Sequence, residues 1–118
     1  MFLTYAAVLF ALGAVGGLVM AVKSFNGQPI PVALAAGHGI LGATGLVLLI
    51  IGVLSGIGGG LARAALVVLI IAALGGFYLL SYHIRKAQHP RAVIVVHALV
   101  AVTGFLTLVT AILQGTSA

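Results

Sequence analysis

Four apolar stretches of about 20 residues each, parted only by short turn-like segments, leave this chain few folds to choose from. They run roughly from Phe2 to Val22, Val32 to Ser55, Leu61 to Tyr82 and Arg91 to Leu113. Between them lie Lys23 to Pro29, Gly56 to Gly60 and Arg85 to Pro90, where Gly, Pro, Asn, Gln and basic residues gather. Of the 118 residues 64% are hydrophobic and none is Asp or Glu, so the chain has almost no charge with which to face water. As helices, such stretches match the hydrocarbon thickness of a bilayer, and continuous apolarity excludes the alternating strands of a closed barrel. Short connections make neighbouring helices antiparallel. The expected fold is an all-α membrane protein, a four-transmembrane-helix up-down bundle forming a single transmembrane domain over residues 1–118.

The residues that are missing narrow the chemistry. Without cysteine there is no disulfide, no thiolate-ligated cluster and no thioether-linked haem. The lack of carboxylates removes acid/base pairs and argues against an ion-coupled transporter, whose intramembrane carboxylates carry the coupling. No nucleophile stands beside a base, and no phosphate loop is present. The first stretch has no basic n-region and is too long for a cleaved signal, so it is expected to remain as a helix. Lys23, Arg85, Lys86 and Arg91 fall at one end of the bundle and only Arg63 at the other. The positive-inside rule then puts the basic face in the cytoplasm and both termini outside, in a bacterial or archaeal cytoplasmic membrane. These cations flank a bilayer and do not point to nucleic acid.

Laying residues 1–59 over 60–118 pairs Pro31 with Pro90, His38 with His97, Thr44 with Thr103, Gly45 with Gly104 and Gly16-Gly17 with Gly75-Gly76. The phrase P-x6-H-x5-T-G thus occurs twice in one register, and two tandem helical hairpins, with helices at about 2–22 and 32–55 and then 61–82 and 91–113, are expected. Two such hairpins enter and leave on the same side, which gives a pseudo-two-fold axis along the membrane normal. That axis sets the second and fourth helices across from one another, with His38 and His97 at one depth, about 10 Å inside the helix start at the helical rise per residue.

A neutral imidazole within a bilayer needs a partner, and two at matching depth suggest a shared one, a metal centre with haem iron as first candidate. The positions at i+4 and i+7 on the same helical faces are Gly42 and Gly45 after His38, and Ala101 and Gly104 after His97. This near absence of side chains predicts a slot in which a porphyrin could stand, roughly two helical turns long. Gly16, Gly17, Gly75 and Gly76 lie near the same depth. Close helix packing explains such glycines equally well, and Gly13 to Gly17 is a GxxxG. Arg85 and Arg91 suit bidentate binding of haem propionates, and also suit topology. His83 and His89 fall outside the repeat, opposite Ser24 and Ile30. They read as interfacial histidines, a propionate contact or a proton acceptor beside a quinone headgroup. Thr44 and Thr103 are expected to bond back to their own helix carbonyls.

In these residues the chain resembles the bis-histidine membrane cytochromes b, whose haem lies in a four-helix bundle between histidines on facing helices, with glycines giving the ring room. The likeness covers all four spans as architecture and is specific at His38, His97 and the surrounding glycines. It implies one haem b per chain, because the second histidine pair of the di-haem members has no counterpart here. It further implies an electron carrier rather than a stand-alone enzyme, exchanging with quinone or a redox protein, as a subunit or homo-oligomer. Two rival readings remain at this level. One is a structural or assembly subunit whose histidines bond across helices. The other is a metal-binding or transport protein using imidazole for copper, zinc or nickel, although the unequal depths of the four histidines argue against one compact site.

Overall fold

A computed structural model describes residues 1–116, with Thr116 described by its backbone alone. Its four helices are α1 (Phe2–Phe25), α2 (Val32–Leu54), α3 (Gly59–Ile84) and α4 (Arg91–Thr116), and each is long and apolar enough to cross a membrane. α1 packs chiefly on α2 and α3 chiefly on α4, and the two hairpins meet through α2 with α3 and α1 with α4. The diagonal pairs, α1 with α3 and α2 with α4, do not touch along their backbones.

α1, α3 and α4 run past the expected spans, whereas α2 stops one residue short of Ser55, at Leu54. α1 runs three residues past Val22, and α3 extends from Leu61 back to Gly59 and from Tyr82 on to Ile84. Polar residues end the apolar pattern before they end the helix, because a helix stops where its last carbonyls find partners. At the end of α1 those partners are the Gly27 amide, donating to Ser24 O, and the Gln28 amide, donating to Lys23 O. After α3 the Lys86 and Ala87 amides donate to His83 O and Tyr82 O in the same way. This Schellman closure needs a left-handed residue at its centre. Gly27 supplies it at φ +68°, and Lys86 adopts it at φ +54° despite its Cβ.

Proline begins both second helices. Pro31 O accepts from the Leu34 and Ala35 amides, and Pro90 O from the Val93 and Ile94 amides, so the chain restarts as a helix where proline has no N–H to lose. Between the hairpins, Gly58 holds φ +82°, and a Cβ there would stand 2.6 Å from Ala62 Cβ and 2.8 Å from Leu3 Cδ1. Only glycine satisfies both the angle and the approach.

The core is thin and made of small residues. Leu3, Ala6, Leu49, Ala62, Ala65, Leu69, Leu108 and Ala111 form its buried cluster, and no polar side chain is buried among the described residues. Large apolar side chains point outward all round, with Leu18 and Phe77 each 67% exposed. In water this surface would aggregate. In lipid it is the solvated face, and the helices are held by close packing of small residues rather than by the hydrophobic effect. Buried residues recur in the register that pairs the prolines: Leu3 with Ala62, Ala6 with Ala65, Leu49 with Leu108 and Gly52 with Ala111.

Candidate functional site

Each histidine on a second helix reaches the first helix of its own hairpin. His38 Nδ1 lies 2.8 Å from Gly13 O, and His97 Nδ1 lies 2.8 Å from Ala72 O. A carbonyl oxygen can only accept, so Nδ1 carries the proton and donates, and in the neutral ring Nε2 keeps its lone pair. Gly13 O and Ala72 O are helical carbonyls with a second lone pair to offer. The two rings sit 6.3 Å apart, centroid to centroid, with their planes at 76°.

The paired glycines of α1 and α3 make room for these rings. A Cβ on Gly17 would stand 2.9 Å from His38 Cε1 and 3.3 Å from its Nδ1. On Gly76 it would stand 3.2 Å from His97 Cε1, and on Gly75 3.5 Å from His97 Nδ1. Gly16 is looser, 3.8 Å from Leu34 and 3.9 Å from His38 Cβ. Thus Gly13 and Gly17, one turn apart on the same face, act together: the first offers its carbonyl and the second clears the ring. Ala72 and Gly76 repeat the arrangement. The sequence carried this signal as small residues at i and i+4, but nothing in it marked which carbonyl would be used.

Beneath the histidines the small-residue faces are only partly open. Gly42 has nothing within 4 Å of where its Cβ would be. At Gly45, however, the Phe10 ring comes within 3.0 Å of that position, and at Gly104 the Leu69 side chain comes within 2.7 Å. Phe10 and Leu69 are equivalent in the two hairpins, so each half plugs its lower glycine with a side chain from its own first helix. Ala101 is half-buried between His97 and Gly104. Thr44 and Thr103 donate to Ile40 O and Leu99 O, each at 2.8 Å, and so serve their own helices as expected.

Arg85 and Arg91 are both at the basic end and both engaged. Arg85 Nε donates to Ser81 O at 3.1 Å, and its guanidinium lies 4.6 Å from the centre of the Tyr82 ring. Arg91 Nη2 donates to Phe25 O at 3.3 Å and its guanidinium stands 5.6 Å from the Phe25 ring centre. It thereby ties the start of α4 to an orphan carbonyl at the end of α1.

Protein-family models, curated proteins and solved structures yield no match to the chain. The chemistry must therefore be read from the geometry. A metal about 2 Å from one nitrogen of each ring, with roughly 1 Å more to each centroid, would separate opposed rings by roughly 6 Å. The His38–His97 spacing suits that, and an Nδ1–H bond to a backbone carbonyl is the usual outer support of a metal-ligating imidazole. No third His, Cys, Asp or Glu joins the pair among the described residues, so any further ligands would come from outside the chain.

Proposed function

We propose that the protein is a small integral membrane cytochrome b that carries electrons through one haem held by His38 and His97. The observation that carries this reading is the mirrored pair of imidazoles, each fixed through Nδ1 on a carbonyl of its own hairpin and facing the other at 6.3 Å. When bound, haem iron supplies a one-electron couple, and bis-imidazole ligation leaves it no open position for substrate. The chain's own part is to set the tautomer, hold the rings at one depth and keep water out. Gly13 O and Ala72 O do the first, the glycine pairs do the second, and the buried Leu49 and Leu108 below close the bundle. A macrocycle also needs the space that Phe10 and Leu69 now fill at Gly45 and Gly104. Both are apolar side chains that can turn within staggered rotamers, so the ligand set fits and the slot below it has to open.

On this reading the basic end lies in the cytoplasm, the haem sits nearer that face, and the electron partner is a quinone or a redox protein. Haem stoichiometry tests the proposal. Protein purified after expression with ample haem should carry one haem b per chain without covalent attachment, and a protein that takes up none sinks the reading. The plugs of Phe10 and Leu69 favour one alternative, a bare metal ion between the same two imidazoles, which would leave the protein without a porphyrin spectrum.

A further inference from the structure

The second hairpin carries side chains that the first lacks, and they gather in one corner. In the register that pairs Pro31 with Pro90, His83 stands where the first hairpin has Ser24, His89 where it has Ile30, and Tyr82 where it has Lys23. The backbone hydrogen bonds of the two turns are nevertheless the same, from the Schellman closure to the proline restart. The turn folds without these histidines, so they are not there for the fold.

The two rings come together across that turn. His83, in the last turn of α3, and His89, just before Pro90, have centroids 6.1 Å apart at an interplanar angle of 45°. Tyr82 completes the group, 6.4 Å from the His89 ring. Both histidines are half-buried, and neither ring makes a hydrogen bond among the described residues. The spacing is close to that of His38 and His97, about what two imidazoles on one ion require. We propose that His83 and His89 form a second metal site, for a transition-metal ion of the copper and zinc class. The proposal goes beyond the cytochrome reading and does not rest on it.

The donor set selects the ion. Imidazole alone, in a chain without thiolate or carboxylate, suits copper and zinc and offers nothing to magnesium or calcium. Of the cations nearby, Arg85 sits on the Tyr82 ring and donates to Ser81 O, and Arg91 donates to Phe25 O. Two protein ligands leave room for water or a donor from a partner, so the site suits capture and hand-over of an ion rather than permanent storage.

Zinc(II) and copper(II) titrated calorimetrically into the full chain in detergent test this, with a His38→Ala/His97→Ala variant as background. We expect one ion bound per chain in that background. His83→Ala or His89→Ala added to it should weaken binding at least about 100-fold, since changes to outer-shell partners alone cost 10–100-fold. In the unaltered protein, the ring resonances of His83 and His89 should shift or broaden with the first equivalent of zinc, a readout needing no substitution. No binding in the background variant, unchanged affinity in both single variants, or shifts confined to His38 and His97 would each overturn the assignment.

Discussion

Gly17→Ala should unseat His38, whereas the same change one residue earlier should not. A Cβ at position 17 would lie 2.9 Å from His38 Cε1, well inside the roughly 3.5–4.0 Å at which carbon atoms attract. The ring cannot simply step back, because its Nδ1 is held at 2.8 Å by Gly13 O. Overpacking of this kind costs about 1–3 kcal/mol, and losing the hydrogen bond adds roughly 0.6–1.7 kcal/mol in a membrane. Replacing a helical glycine by alanine returns about 1 kcal/mol. The net expectation is a destabilisation of about 1–4 kcal/mol for Gly17→Ala. At Gly16 the nearest atoms would be 3.8 Å away, ordinary contact, so Gly16→Ala should be neutral or stabilising by up to about 1 kcal/mol. Unfolding in mixed micelles gives both values, and haem bound per chain reports the seat itself. Equal stability and equal haem content in the two variants would refute the argument that Gly17 exists to clear the imidazole.

Lys86 holds φ +54°, so Lys86→Gly should stabilise the protein by about 1 kcal/mol and Gly27→Ala at the equivalent turn should destabilise it by a similar amount, both measured by unfolding. Removing the Arg91 bond to Phe25 O by Arg91→Ala should cost about 0.5–1.5 kcal/mol and loosen the hairpins from one another, seen as faster amide exchange at the end of α1. His89 should titrate below its ordinary value of 6.5, and His83→Gln should raise its pKa by removing a neighbouring positive charge. Because its folded pKa is depressed, the neutral His89 contributes fully to stability above 6.5 and loses that contribution as pH falls through the folded value. Histidine NMR titration checks both directions.

Much of the architecture was legible because it depends on composition and on spacing within one helix. Apolar length gave four helices, proline marked where α2 and α4 begin, and the back-bonding of Thr44 and Thr103 needed only the i−4 carbonyl that every helix offers. What the sequence hid depends on contacts between helices. The partner of His38 is a backbone carbonyl 25 residues away, and a carbonyl has no letter in the sequence. Gly45 and Gly104 read as open space because a missing side chain says nothing about what its neighbours do, and Phe10 and Leu69 fill it. Lys86 escaped notice for a related reason: left-handed backbone is announced by glycine at Gly27 but not by lysine.

Whether His38 and His97 jointly hold one haem is decided by the reduced-minus-oxidised absorption spectrum of the purified protein. Sharp alpha and Soret bands should appear in the unaltered chain and vanish in both His38→Ala and His97→Ala, while His83→Ala and His89→Ala keep them. A colourless protein, or bands that survive loss of either histidine, would rule out a haem shared by the pair.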